Sequence, residues 1–443
     1  MENQRLADAV EAALRIGAVE AEALETTSRS FEVEVSRGEI ETLASSSARG
    51  LGLRLFTSDK RMGFAYTASS DEPLETTVRN AWNNAISNDP EPYGNICRDA
   101  GVFDADWSEQ APADVPVEAK ISFAKDLEKA TLAADSRIVM VERAAYGDSL
   151  VDFALVNSAG VCRRYQNAYF SCSAGAVAAR EGVDSESGWE FDVARTFDGL
   201  RLDWVAQRCA QDATRKLGGK PCATGAMPVV LDNAVATRFL AMFGSALRGD
   251  NVLKGKSLFA GSVGEAIASD CLTFVDQNDC PDAVGRAPFD AEGTLAKRTV
   301  LVENGRLQGY LHNQQTASEM GEKPTANAVR GFRSPPAVGP SSLYIVPGGV
   351  SQEGLFGKAP RGLFVTQALG MHSANLITGD FSFGASGLLF ESGELRAPVR
   401  GVTIAGNFRP LLKAVEAVGN DLRFLGSCGA PSLLISELVV SGE

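Results

Sequence analysis

Histidine is scarce in this chain, and its scarcity restricts the chemistry available. The 443 residues include two histidines, His312 and His372, which lie far apart in sequence. A catalytic zinc ion usually needs imidazoles that reach one ion, with a carboxylate beside them to handle the proton of the attacking water. The sequence therefore does not predict a histidine-rich zinc site within one subunit.

Long apolar runs, a basic leader and closely spaced cysteine pairs are also missing. No segment offers the roughly eighteen unbroken apolar residues that a membrane span requires. The first twenty residues read as an acidic amphipathic helix rather than a signal peptide. We therefore expect a cytoplasmic protein with no membrane partner. The eight cysteines include no C-x-x-C pair, which favours reduced and mostly buried thiols.

The charge balance argues against nucleic acid as a partner. The chain carries 42 basic and 56 acidic residues, which gives a formal net charge of -14 at pH 7. Such a protein repels a phosphate backbone over the distance that salt screening allows. We therefore predict that the chain does not bind nucleic acid directly.

The length and the turn-forming residues predict three domains of an α+β protein. A chain of 443 residues is too long for one ordinary core. A proline-rich stretch at 88–116 reads as a linker or a long surface connection, and the Gly-Gly-Lys-Pro run at 218–221 marks a second boundary. The predicted domains are an N-terminal α+β domain at 1–95, a central α+β domain at 96–222 and a C-terminal β-rich domain at 223–443.

Hydrophobic periodicity predicts the main elements of these domains. Each of the first two domains reads as a helix, antiparallel strands and a second helix, beginning with a helix over 3–16. In the central domain we predict separate strands at 138–146 and 150–157. The last domain has one clear helix, at about 233–247, and many short strands. Tight hairpins are predicted at 303–306 and 391–394, and the first carries the Asn-Gly pair favoured in type I′ turns.

The glycine-rich run at 379–387 superficially suggests a phosphate-binding loop. It lacks the Gly-Lys-Ser/Thr ending, and no clear helix follows it. We therefore interpret it as a turn that needs glycine for positive φ, or as a loop whose bare amides approach a peptide.

Three separated segments together resemble the TldD/PmbA family, and more closely its PmbA (TldE) branch. They are 229–250 followed by 255–259, then 379–387, and lastly 418–422 leading to Cys428. They occur in the order expected for that family, and the resemblance extends across the whole chain. It implies a multidomain α+β fold with a C-terminal β-rich domain.

The resemblance also implies where a zinc site would lie. In the TldD branch the helix carries His-Glu-x-x-x-His, and a cysteine near the C-terminus completes the site. Matched residue by residue, the two histidines fall on Leu240 and Ser245, and the glutamate falls on Ala241. Cys428 stands about where the cysteine ligand would be. One thiolate without the imidazoles cannot hold a catalytic ion at useful affinity, so we expect no metal in this chain.

By this resemblance the chain is a non-catalytic subunit of a cytosolic metallopeptidase. It would pair with a TldD-like chain that carries the zinc, with a second copy of itself, or with both, through the last domain. The family acts on unfolded or extended peptides, in leader-peptide maturation, antitoxin turnover and an association with DNA gyrase. The candidate substrate-groove residues are His372, Asp380, Ser382, Gly384, Ser386 and Cys428.

Two other functions stay open from the sequence. The chain could be a hydrolase in its own right that uses Cys428 or a serine as the nucleophile and His372 as the base. It could instead bind extended peptides without cutting them, for example at a sheet edge through main-chain hydrogen bonds.

Overall fold

The computed structural model describes residues 4–69, 72–180 and 184–442. The fold is α+β, as the sequence predicts, with a sheet-and-helix region followed by a β-rich region. Among the described residues, no helix combines the length and the apolar character that crossing a membrane would require.

One large sheet and four helices form the N-terminal half. The helices are α1 (Gln4–Arg15), α2 (Leu74–Ser87), α3 (Val117–Ala133) and α4 (Leu202–Thr214). The strands are β1 (Glu20–Ser36), β2 (Glu39–Phe56), β3 (Met62–Thr67), β4 (Gly101–Asp106), β5 (Ile138–Asn157), β6 (Val161–Arg180) and β7 (Asp184–Ala194). The order is β3-β2-β1-β5-β6-β4, and β7 also pairs with β6. Because β1 pairs with β5, this sheet runs through both predicted N-terminal domains.

Two predictions for this half are wrong in detail. The segment 88–116, predicted to be a linker or a long surface connection, is not a simple linker, because it contributes the largely exposed strand β4, which pairs in parallel with the first part of β6. The strands predicted at 138–146 and 150–157 are one continuous strand, β5. The helix predicted over 3–16 is α1; residue 3 lies outside the described residues.

The C-terminal half contains short helices and many strands. The helices are α5 (Asn233–Phe243), α6 (Gly249–Leu253), α7 (Gln314–Met320), α8 (Gln352–Phe356) and α9 (Phe408–Lys413). The strands are β8 (Gly225–Leu231), β9 (Phe274–Gln277), β10 (Arg298–Glu303), β11 (Arg306–Leu307), β12 (Ala328–Val329), β13 (Ala337–Val338), β14 (Leu343–Ile345), β15 (Arg361–Leu369), β16 (Asp380–Glu391), β17 (Glu394–Asn407), β18 (Val415–Val418), β19 (Arg423–Leu425), β20 (Cys428–Ala430) and β21 (Leu433–Ser441).

These strands form two six-stranded sheets and a small pair. One sheet has the order β11-β10-β9-β14-β20-β19, and the other has the order β17-β16-β15-β8-β21-β18. An additional pairing between β17 and β21 closes five strands of the second sheet into a barrel. The run 379–387 was predicted to be a turn or loop. Gly379 precedes β16 and has a positive φ of 86°, as predicted, but residues 380–387 lie within β16 of this barrel, which corrects the interpretation for the rest of the run.

Helix α5 lies between the two sheets and is the centre of the C-terminal core. The ring of Phe239 makes edge contacts with Phe381 and Phe383 of the barrel, at centroid distances of 5.4 and 5.5 Å. One turn later, Phe243 packs 5.7 Å from Phe274 of the other sheet. Large buried aromatic rings contribute much of a core's stability, so both sheets fix the position of this helix.

A buried ion cluster joins the two halves of the molecule. Arg54 on β2 donates to Glu22 on β1 at 3.0 Å and to Glu292 of the C-terminal half at 2.8 Å. Glu22 also pairs with Arg330. All four side chains are at most 5% exposed. Buried charges are tolerated when they are paired, so this cluster specifies how the halves dock.

Candidate functional site

The site implied by the resemblance is built on α5. Strand β8 leads into the helix, and the Asp232 carboxylate caps its first turn by accepting from the Ala234 N–H at 3.0 Å. The helix ends at Phe243 and continues as a 3-10 turn, Gly244–Leu247. The predicted helix 233–247 is therefore present, but its last turn is tightened.

The three positions that correspond to the zinc motif point in different directions. Leu240 is fully buried in the core between the two sheets. Ala241 is exposed, and half-buried Ser245 donates its hydroxyl proton to the Met242 carbonyl at 2.8 Å. Within the described residues, no group of three or more His, Cys, Asp or Glu side chains is arranged to hold a metal ion. The residues of this chain do not fit the zinc ion of the TldD branch.

Cys428 is the first residue of β20, where it is buried beside its strand partner Leu343. Burial raises the pKa of its thiol to about 11. Thiolates, not thiols, act as nucleophiles and metal ligands, so a neutral Cys428 is poorly suited to either role at pH 7.

His372 lies near both the barrel strand β16 and the helix α5. It belongs to an exposed 3-10 turn, Met371–Ser373, whose Ser373 hydroxyl donates to the Gly370 carbonyl at 2.8 Å. The same hydroxyl lies 3.5 Å from the Ser382 carbonyl, so the turn rests against β16. No hydrogen bond joins His372 to a candidate nucleophile in the described parts of the chain.

The other groove candidates share one face of β16. Asp380 and Ser382 are exposed, and Gly384 and Ser386 are half-buried, whereas the alternating residues point into the barrel core. The Asp380 carboxylate accepts from Asn407 at 2.8 Å and from the Thr378 hydroxyl at 2.7 Å. These bonds lower the pKa of Asp380. The structure therefore places the turn that contains His372 next to β16, and it places Cys428 in the other sheet.

The other histidine, His312, is buried in the core of the C-terminal half. Its Nδ1 lies 3.2 Å from the Thr316 hydroxyl, and burial lowers the pKa of the imidazole. His312 therefore has a packed structural position.

Sequence reasoning missed Arg238, one turn before Ala241 on the outward face of α5. It is exposed and lines two cavities, one of about 240 Å³ and one of about 280 Å³. The second cavity also contains Ala241 and His372. Helical spacing was the available signal, because residues three and four apart share a helix face.

Comparisons with known proteins agree with this architecture. Sequence profiles for domain 1, the central domain and the C-terminal domain of the PmbA/TldA metallopeptidases match residues 21–86, 110–217 and 224–442. The metalloprotease PmbA of Escherichia coli O157:H7 is 28% identical over 99% of this chain and 96% of its own length. The PmbA homologue of Haemophilus influenzae gives the same identity and coverage.

A solved structure gives the same result for the fold. A proposed modulator of a DNA gyrase from Thermotoga maritima superimposes with a TM-score of 0.89, at 27% identity and with both chains covered completely. The chain belongs to the PmbA/TldD metallopeptidase family.

Proposed function

We propose that the chain is the zinc-less, PmbA/TldE-type subunit of a cytosolic metallopeptidase complex that acts on unfolded or extended peptides. The observation that carries the proposal is the buried position of Leu240. An apolar side chain fills the place of the first histidine and is part of the core, so no ligand is available there. Ser245 supplies no second imidazole, and Ala241 supplies no carboxylate. The remaining cysteine cannot form a catalytic site by itself.

In this proposal a TldD-like partner supplies the zinc and the hydrolytic chemistry. The present chain completes the complex and helps to hold the peptide. Leader-peptide maturation, antitoxin turnover and an effect on DNA gyrase are the candidate processes. A homodimer is the alternative assembly for the isolated chain.

The surroundings of Cys428 and His372 argue against a self-sufficient hydrolase. The thiol is buried and its pKa is raised, while the imidazole lies on an exposed turn against β16. A nucleophile needs a base within hydrogen-bond reach and a third group that orients the base. No such set connects these two residues in the described chain.

The test combines metal analysis with peptide cleavage. The purified chain is expected to contain no stoichiometric zinc by mass spectrometry and to leave an unstructured peptide intact, with or without added zinc. Co-expression with a TldD-like chain carrying His-Glu-x-x-x-His should yield a complex that contains zinc and cleaves the peptide. The control replaces the motif glutamate of that partner by glutamine, which should abolish cleavage but preserve the complex.

Cleavage by the isolated chain would contradict the proposal if it depends on His372 and Cys428. Cleavage by the isolated chain that disappears in a His372→Ala, Cys428→Ala double variant would identify an active site within this subunit. The proposal of a non-catalytic subunit would then be wrong.

A further inference from the structure

The outward face of α5 has two adjoining cavities that meet at Arg238. The first, of about 240 Å³, lies between the central part of the large sheet and the C-terminal half, and Trp189 and Gln367 are part of its wall. The second, of about 280 Å³, lies over Ala241. It is several times larger than the roughly 30 Å³ that one water occupies in the liquid, so it has room for an aliphatic side chain.

The charges around the first cavity leave one cation unpaired. Four arginines line it. Arg423 donates to Glu190, Arg215 donates to Asp212 at 2.8 Å, and Arg208 lies 3.9 Å from the carboxylates of both Glu190 and Asp232. The fourth is Arg238. Its guanidinium is exposed and has no hydrogen-bond or ion-pair partner within residues 4–69, 72–180 and 184–442.

The second cavity is apolar where the TldD branch has its catalytic carboxylate. Its wall consists of Ala241 with Met242, Met371, Ala374 and Leu376, and Arg238 and His372 complete the lining. Flexible methionine side chains adapt to apolar ligands of different shape. The carboxylates that line the first cavity, Glu142, Glu190, Asp212 and Asp232, do not line the second. Arg238 and His372 are therefore the polar side chains of the apolar cavity.

From this juxtaposition we propose that the cavity pair binds the C-terminal end of an extended peptide. The terminal carboxylate pairs with Arg238, and the last side chain, which is apolar, enters the cavity over Ala241. A planar guanidinium suits a carboxylate because it can donate two parallel hydrogen bonds. This inference rests on the proposed function, because the captured peptide is the substrate that the complex acts on.

Binding to the intact chain tests the proposal without any partner. The probe is a fluorescein-labelled peptide of glycine and serine residues that ends in leucine, measured by fluorescence anisotropy at physiological salt. The same peptide with a C-terminal amide is the matched ligand. The free carboxylate should bind about tenfold more tightly than the amide, because the hydrogen bonds to it are charge-assisted.

Three variants test whether the difference in affinity between the carboxylate peptide and the amide peptide arises at this site. Arg238→Gln should reduce the affinity for the carboxylate peptide about tenfold and leave the amide peptide unchanged. Ala241→Phe, at an exposed position, should fill the apolar cavity and weaken both peptides. Arg396→Gln is the matched control, because Arg396 is also exposed on the C-terminal half and should have no effect.

Several results would overturn the proposal. They are equal affinity for the two peptides, equal weakening of both by Arg238→Gln, or no binding of either. A change of sedimentation coefficient in Ala241→Phe without a change in peptide affinity would assign the face to subunit contact instead.

Cleavage by a complex with a TldD-like chain is measured separately. If that complex cleaves the peptide and Arg238→Gln binds like the parent, the proposed function stands and this site fails.

Discussion

Replacing Arg54 by methionine is expected to lower the free energy of unfolding by about 3–5 kcal/mol, the usual result of removing one partner from a buried ion pair. Burial acts to lower the pKa of Arg54, but Glu22 and Glu292 outweigh it and raise the pKa. Without the guanidinium, the buried Glu292 loses its direct ion pair and keeps one bond of 2.8 Å, from the Gln314 N–H, together with the more distant charge of Arg330.

Urea denaturation followed by tryptophan fluorescence is the appropriate assay. All four tryptophans, at positions 82, 107, 189 and 204, lie in the N-terminal half, so their emission reports the sheet that carries Arg54. Arg143→Met is the matched control. Arg143 also lies on the large sheet and pairs with two glutamates of β1, Glu32 and Glu34, but its side chain is 50% exposed. Exposed pairs contribute about 0–1 kcal/mol.

A double variant separates loss of the charge pair from loss of packing. Arg54→Met combined with Glu292→Gln removes the carboxylate that has lost its direct ion pair and leaves Glu22 paired with Arg330. It should recover part of the stability that Arg54→Met loses, because the two substitutions are coupled. If Arg54→Met is no more destabilising than Arg143→Met, the cluster does not hold the two halves together and the reasoning is refuted.

Three further predictions concern glycine, pH and thiols. Gly52→Ala should destabilise the protein by roughly 1–3 kcal/mol in the same urea assay, because the new methyl group would lie 2.5 Å from the backbone oxygen of Phe332. Burial raises the pKa of Asp290 to about 7, so the native state keeps a proton that the unfolded chain has released. Stability should therefore fall as the pH rises from about 4 to 7, and Asp290→Asn should reduce that slope. Iodoacetamide at pH 8, with mass spectrometry of the products, should modify exposed Cys271 well before buried Cys428; preferential labelling of Cys428 would revive the hydrolase hypothesis.

Local turn chemistry was predictable from the sequence. The hairpins at 303–306 and 391–394 are present, between β10 and β11 and between β16 and β17. Their central residues have positive φ, as a type I′ turn requires: Asn304 at 47° and Gly305 at 75° in the first, and Ser392 at 52° and Gly393 at 83° in the second. Two adjacent residues determine such a turn, so it can be predicted without knowing how the neighbouring strands pair.

The continuity of β5 was not predictable, because its middle residues resemble a turn. Gly147 and Asp148 are poor strand formers by propensity. In the fold, Gly147 pairs with Glu32 on one side and with Ser171 on the other. Asp148 is buried and forms an ion pair of 2.6 Å with Lys120 of α3. Pairing on both edges holds the segment extended, and those neighbours are distant in sequence.

The prediction for the glycines of 379–387 was correct for Gly379, which has a φ of 86°, but wrong for Gly387, because glycine serves two different purposes. A Cβ on Gly387 would lie 1.8 Å from the backbone oxygen of Phe364 on the paired strand β15. This glycine therefore permits a close approach of two strands and does not make a turn. The alternation of Phe381 and Phe383 with polar residues was the strand signal within the run.

Leu240 occupies a position in the C-terminal core where a histidine would be costly. The side chain lies in the core that joins α5 to both sheets, so it contributes packing where an imidazole would need hydrogen-bond partners. Ala241, the next residue, is exposed and faces the apolar cavity. Replacing Leu240 by histidine would bury an imidazole among apolar side chains, and Cys428 would still be a neutral thiol at pH 7. The two faces of this helix therefore have different surroundings, the packed core around Leu240 and the apolar cavity beside Ala241.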